Sequence, residues 1–236
     1  MRPLQAILFD LDGTLADTAV DLGGAINAMM RKRSMPEVPF NDIRPIASSG
    51  TNGLIAHALG VKKGDPEHAA LRAEFLDEYE HCFLAKSQLF ADVQELIAAI
   101  DAQGLVWGII TNKPHRFTER LVPKLGFQIP PAVVVSYDTV SEPKPSVKPM
   151  LHACELIDIE PEACLYLGDA ECDVVAGNNA GMYTVLANWG YISDHAEALA
   201  WGPNAAIDAP LDLLGVIAQC GTHTDLNEKK SRHDPN

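Results

Sequence analysis

Six short apolar runs constrain this chain more than any other feature. They are "LQAILF" (4–9), "LVWGII" (105–110), "AVVVS" (132–136), "ACLYLG" (163–168), "YTVLA" (183–187) and "NAAID" (204–208). Most lack the polar alternation of a strand with one wet face, so they read as strands buried on both faces of a parallel sheet. The stretches between them have helical spacing. In "VQELIAAIDAQGL", Val93, Leu96, Ile97 and Ile100 share one face and Gly104 ends the turn. In "HRFTERLVPKLGF", Phe117, Leu121 and Leu125 do the same, with Gly126 as the stop. "KPMLHACELIDIEP" and "CDVVAGNNAGM" repeat the pattern. Strand–helix alternation of this kind predicts an α/β fold with a doubly wound, mainly parallel sheet.

From about Asp17 to Ser87 the alternation stops. Three helical patterns follow one another there, with no convincing strand. The first is "AVDLGGAINAMMRKR". The second runs through "FNDIRPIASSGTNGLIAHALG", starting at a cap (Asn41 or Asp42) and breaking at Pro45; the third is "PEHAALRAEFLDEYEHCFLA". We read 17–87 as an all-helical insert and 1–16 with 88–220 as the sheet domain. The tail 221–236 is polar and aperiodic and reads as disordered.

A length of 236 residues suits one domain carrying a smaller insert. The balance of 18 basic against 32 acidic residues gives a net charge of −14. Such a surface repels nucleic acid and anionic membranes, so neither is an expected partner, and an anionic substrate needs local positive charge. The five cysteines are odd in number and form no C-x-x-C pair, which argues against a disulfide framework or a zinc site. With no apolar run near 18 residues and no apolar leader after Met1, the expected location is the cytoplasm.

Four short motifs fall at the C-terminal ends of predicted strands, where ligand sites lie in open α/β sheets. Asp10-Leu11-Asp12-Gly13-Thr14 ends the first run. Side chains at i and i+2 of an extended segment point the same way, so both aspartates could face one site; a plain Asp-Gly turn is the alternative. Thr111-Asn112-Lys113-Pro114 offers a hydroxyl and a cation before a helix N-terminus, which suits an anion or, more simply, a helix cap. Glu142-Pro143-Lys144-Pro145 stiffens a loop around a lysine that could equally be solvated. In Gly168-Asp169-Ala170-Glu171-Cys172-Asp173, two aspartates four apart could converge, or could merely suit the helix dipole.

The conjunction carries the weight. Two carboxylates ~4 Å apart repel by about 4 kcal/mol at an effective dielectric of about 20. Asp10, Asp169 and Asp173 at one sheet edge would together cost a large part of a folding free energy of about 5–15 kcal/mol. A hard divalent cation relieves that cost, and an all-oxygen site with few ligands suits Mg²⁺. The metal and Lys144 could then neutralise a phosphate, with Thr111 and loop N–H groups bonding its oxygens.

Asp10-x-Asp12-Gly13-Thr14, Thr111, Lys144 and Gly168-Asp169-x-x-x-Asp173 resemble, in order, the four motifs of the haloacid dehalogenase-like superfamily. The resemblance implies a helical C1 cap after the first motif, matching the insert read above. It implies that Asp10 is a nucleophile forming an aspartyl-phosphate, and that Asp12 protonates the leaving oxygen and then activates water, positioned with help from Thr14. It also implies Mg²⁺ held by the Asp10 side chain, the Asp12 main-chain carbonyl and Asp169, with Asp173 as ligand or support. The stretches "IRPIASSG", "LRAEFLDEYEHC", "WGIITNKPHRF", "GNNAGMYTVLANWGYI" and "WGPNAAIDAPLDLLGVI" are similar to the phosphoglycolate phosphatase group, and more closely to bacterial N-acetylmuramic acid 6-phosphate phosphatases. One departure is Val147, where that group usually carries a second proline after Lys144.

The resemblance makes the expected partner a small phosphorylated metabolite, acted on by a monomer or homodimer. Expected substrate contacts are Thr14, Asn112 and Lys113 from the core and Arg44, Ser48, Ser49 and Gly50 from the cap. Arg44 could grip a carboxylate, and Ser48, Ser49 and Asn52 could bind sugar hydroxyls. His57, His81, His115 and His152 show no metal-ligand spacing. Two other readings are a sugar phosphomutase, which would form an isomer with little free phosphate, and a non-catalytic phospho-binding regulator. Thr14 favours a phosphatase over the mutases, which more often carry Val there; signalling receivers are only about half this length.

Overall fold

All six apolar runs become strands of one sheet. The computed structural model describes residues 3–220; the expected disorder of 221–236 lies outside them. In chain order the strands are β1 (Ala6–Phe9), β2 (Ala16–Asp17), β3 (Gln88–Leu89), β4 (Val106–Ile110), β5 (Val133–Val135), β6 (Cys164–Gly168), β7 (Tyr183–Ala187) and β8 (Ala205–Ile207). The sheet order is β5-β4-β1-β6-β7-β8, with every neighbouring pair parallel. β1 is central: Ala6 lies opposite both Val106 and Cys164.

Between the strands run α1 (Ala19–Lys32), α2 (Phe40–Ile43), α3 (Gly50–Leu59), α4 (His68–Glu80), α5 (Val93–Ala102), α6 (His115–Lys124), α7 (Lys148–Ile157), α8 (Glu171–Ala180) and α9 (His195–Ala200). Ile7 and Phe9 of β1 join the apolar cluster that holds Leu96 and Ile100 of α5, Leu121 of α6 and Leu213 and Val216 from a final helix over 213–220. Ala6 and Leu8 join the other cluster, with Met150 and Ala153 of α7 and Ala176 of α8. Helices on both faces explain why β1 has no polar alternation. α9 and the helix over 213–220 are additions that the apolar spacing does not mark. The chain leaves β1 between β4 and β6, so the order reverses there and opens a crevice beyond the strand ends.

Helices α1 to α4 sit between β2 and β3, which pair antiparallel through Ala16↔Leu89 and Asp17↔Gln88 and so bring the ends of the insert together. The second helical pattern is in three pieces: α2, a 3₁₀ stretch over Arg44–Ser49, and α3. It begins at Phe40, with Pro39 in the N-cap place, so Asn41 and Asp42 lie inside the first turn instead of capping it. Pro45 opens the 3₁₀ stretch, where its missing N–H costs no intrahelical bond. Gly50, at φ +59°, turns the chain into α3.

The base of the insert is tied by one buried carboxylate. Asp21 accepts hydrogen bonds from the Lys86 N–H at 3.0 Å, the Ser87 N–H at 2.8 Å and the Ser87 hydroxyl at 2.7 Å. Bonds to a charged acceptor are the stronger kind. Asp21→Ala is expected to lower stability by about 2 kcal/mol in urea unfolding, with little change in slope.

Candidate active site

The ends of β1, β4 and β6 lie side by side. The Asp10 N–H donates to the Leu167 carbonyl at 2.9 Å, and the Thr111 N–H to Val135 at 2.9 Å, so both residues leave their strands still held by the sheet. Lys144 arrives from the loop before α7 and is buried. Its Nζ lies 2.9 Å from Asp10 Oδ1, 2.6 Å from Asp173 Oδ1, 2.8 Å from Tyr166 Oη and 2.9 Å from the Ile110 carbonyl. Asn112 holds that loop in place: its amide donates to the Lys144 carbonyl and accepts from the Lys144 N–H, both at 3.0 Å.

Asp169 is fully buried and fully engaged. Its Oδ1 accepts from the Thr14 hydroxyl at 3.0 Å, and its Oδ2 from the Tyr191 N–H at 2.8 Å and from the hydroxyl of Ser48, which belongs to the insert. Two glycines cradle it. A Cβ on Gly13, already at φ +85°, would lie 2.3 Å from Asp169 Oδ2, and one on Gly190 would lie 2.2 Å from the Asp169 Cβ. Asp12 accepts from the Thr18 hydroxyl at 2.6 Å, and the Lys113 ammonium lies 3.0 and 3.1 Å from its two oxygens.

Ligand atoms of Asp10, Asp169 and Asp173 all lie within 4.8 Å of one another, the group among the described residues that could hold a metal ion. Fully ionised, three carboxylates against the single Lys144 ammonium leave two negative charges uncompensated. Burial pushes the Asp10 carboxyl up, with Asp173, Asp169 and Asp12 adding to the rise and Lys144 opposing it, to about 8. Burial and Asp173 raise Asp169 to about 6, against the pull of Ser48, Tyr191 and Thr14. Burial works against the Lys144 charge, but Asp10 and Asp173 outweigh it and hold the ammonium well above its usual range. A buried, all-oxygen, electron-rich donor set of this kind fits a hard divalent cation.

Asp10, Asp12, Thr111, Asn112, Lys113, Lys144, Ser48 and Gly50 line one cavity between the sheet edge and the insert. Several expected substrate contacts point elsewhere. Thr14 turns its hydroxyl to Asp169. Arg44 Nη1 is 2.7 Å from Asp17 Oδ2, and its guanidinium lies 5.1 Å from the Tyr191 ring centroid, so the charge meant for a carboxylate is spent at the base of the insert. Ser49 is exposed and lines a neighbouring outer cleft with Glu171 and Asp194, which Ser48 also borders as it reaches in to Asp169. Asn52 lies 3.0 Å from His68 within the insert. Asp173 gives Oδ1 to Lys144 and Tyr166 and Oδ2 to the Ala170 N–H, so it holds Lys144 as much as it faces an ion.

Three tyrosines were not foreseen. Tyr166 braces Lys144, Tyr79 braces Lys113, and the Tyr191 hydroxyl accepts from the N–H groups of Thr18 and Ala19 and donates to Asp17. A hydroxyl inside an apolar run such as "ACLYLG" signals a buried polar contact, but not with what.

A parallel sheet with a helical insert after its first strand, and this order of Asp, Thr, Lys and Asp at the strand ends, are the arrangement of the haloacid dehalogenase-like hydrolases. Residues 7–187 match the haloacid dehalogenase-like hydrolase family model, and the chain belongs to that family. It is 39% identical over 215 residues to the N-acetylmuramic acid 6-phosphate phosphatase of Pseudomonas aeruginosa, covering 91% of this chain and 95% of that one. It is 37% identical over 213 residues to a phosphoglycolate phosphatase of Xanthomonas campestris, covering 90% and 96%. A crystal structure of a predicted phosphoglycolate phosphatase from Haemophilus somnus superposes with a TM-score of 0.79 at 25% identity, covering 92% of this chain and 99% of that one.

The raised Asp10 value sets a pH dependence. Asp10 titrates higher in the folded protein than its ordinary 3.8, so without metal its contribution to stability is lost as pH rises from about 4 to about 8. A cation relieves the charge that appears over that window. Mg²⁺ is therefore expected to raise the melting temperature by about 5 °C near pH 8 and by much less near pH 5, as read by differential scanning fluorimetry.

Proposed function

We propose that this protein is a Mg²⁺-dependent phosphomonoesterase working through an aspartyl-phosphate on Asp10. The observation that carries this reading is the setting of Asp10. It lines the cavity, gives Oδ1 to Lys144 at 2.9 Å, and among the described residues leaves Oδ2 without a hydrogen-bond donor. Lys144 and the cation site supply positive charge beside it, as a dianionic phosphate requires.

Asp10 Oδ2 attacks phosphorus, and the ester P–O bond breaks as its oxygen takes a proton from Asp12, which enters this step as the neutral acid, off its ion pair with Lys113. Asp12 then takes a proton from water, whose oxygen attacks phosphorus and releases phosphate and the free Asp10 carboxylate. Thr111, which lines the same cavity, would bond the transferred oxygens through its hydroxyl, and Lys144 would offset their charge. Asp10, the Asp12 carbonyl and Asp169 would hold Mg²⁺, which supplies Lewis-acid neutralisation of the phosphoryl oxygens when bound. Asp173 serves mainly to aim Lys144.

The cavity wall bears on the substrate. Its cations are Lys144 and Lys113, the latter paired with Asp12, and its apolar lining is Leu22, Phe75, Leu76 and Phe117. Such a surface suits a phosphorylated sugar acid with an N-acetyl group, the N-acetylmuramic acid 6-phosphate type, better than the small, fully polar 2-phosphoglycolate. Mutase chemistry and a non-catalytic phospho-binding role gain no specific support from this geometry.

On a substrate panel read by phosphate release, kcat/KM for N-acetylmuramic acid 6-phosphate is expected to exceed that for 2-phosphoglycolate, and EDTA to abolish both. Asp10→Asn is expected to lower kcat by at least about 10³-fold. Turnover that survives this substitution would refute the aspartyl-phosphate route.

A further inference from the structure

Lys113 is committed to Asp12, and the group that completes its surroundings comes from the insert. An ammonium carries three hydrogens, and three acceptors surround this one: Asp12 Oδ1 at 3.0 Å, Asp12 Oδ2 at 3.1 Å and Tyr79 Oη at 2.8 Å. The Lys113 side chain is only 3% exposed, so water is a poor substitute for any of them. Lys113 and Asp12 belong to the sheet domain, whereas Tyr79 is on α4. The Tyr79 ring is fixed by Phe75, Phe83 and Phe117, with centroids 6.1, 5.8 and 5.0 Å away. Thr18 already holds Asp12 Oδ1, so Oδ2 depends on Lys113 alone.

We propose that Tyr79 is a positioning residue for Asp12: its phenol oxygen aims the Lys113 ammonium across both oxygens of the Asp12 carboxylate, so the base that takes the proton from water is set only while the insert sits against the core. This rests on the reading of Asp12 as the group that moves the proton. Remove the phenol oxygen and one buried N–H of Lys113 loses its acceptor. The ammonium then swings to find another and releases Asp12 Oδ2. Ground-state binding of the phosphate, which relies on Lys144 and the strand ends, is left in place. The cost therefore falls on the chemical step.

The test is a kinetic double-mutant cycle with Tyr79→Phe, Lys113→Gln and the pair, on the full chain with Mg²⁺ and the best substrate of the panel. Tyr79→Phe keeps the ring packing, and a thermal melt checks that it folds. Its kcat is expected to fall about tenfold with KM within about twofold, and the double variant to lose no more than about twofold beyond Lys113→Gln. A Tyr79→Phe kcat within about twofold of wild type, a loss confined to KM, or losses that multiply in the pair would overturn the proposal. Lys113→Gln gives an independent reading: it is expected to lower kcat by about tenfold or more with KM within about twofold, and a loss of less than about fivefold overturns the proposal too. Asp10→Asn assayed alongside separates the two ideas. If it stays active, the aspartyl-phosphate reading fails, whereas the coupling of Tyr79 to Lys113 is read from its own cycle.

Discussion

Three carboxyl groups packed within reach of one another at a sheet edge can all ionise only with positive charge among them, and Lys144 supplies the first of it. It is buried where β1, β4 and β6 end, bonded at once to Asp10 and Asp173, and its loop is clasped by Asn112 from the next strand end. Removing one partner of a buried ion pair is costly because the other is left uncompensated, so these groups stand or fall together. The cluster is still short of positive charge, and that shortage makes the place receptive to a cation and to a phosphate. The same electrostatic deficit thus underlies both the raised carboxyls of Asp10 and Asp169 and the chemistry proposed for them.

The insert is held against the sheet domain by contacts of two kinds. Apolar residues of both parts, such as Leu22, Phe75, Phe117 and Leu15, belong to one continuous cluster, which gives adhesion without direction. Direction comes from a few polar reaches: Ser48 to Asp169, Tyr79 to Lys113, and Tyr191 to the chain at Asp17–Ala19. Each of the first two ends on a residue that the proposed chemistry uses. Tyr191 does so from both ends, since its N–H bonds Asp169 while its hydroxyl bonds the base of the insert. Position of the insert and geometry of the acidic cluster are therefore mechanically linked.

Much of this is legible in the amino-acid sequence. β1, β4, β6 and β7 can be read as strands because a strand buried on both faces has no polar residues to hide its apolar run. Asp10, Thr111 and Asp169 follow directly, since each comes immediately after such a run and the sheet fixes where its end must be. Lys144 sits in a proline-bounded loop, and only the other three motifs make its destination clear. The insert was less transparent. Arg44 looked available for a substrate carboxylate because nothing local marks Asp17, 27 residues away, as its partner. Ser48 and Ser49 are equivalent by spacing, but in the 3₁₀ stretch Ser48 reaches Asp169 and Ser49 is exposed. Tyr79 and Tyr191 act on residues 34 and more than 170 positions distant, and neither spacing nor composition encodes a contact of that range.

The central claim is that Asp10 becomes covalently phosphorylated. The most direct test is to quench the wild-type protein in acid during steady turnover with Mg²⁺ and to locate the phosphoryl group by peptide mass spectrometry. Phosphorylation is expected on the peptide bearing Asp10, appearing and vanishing with substrate. Full turnover with that peptide never modified, or with the phosphoryl group on another residue, would contradict the account.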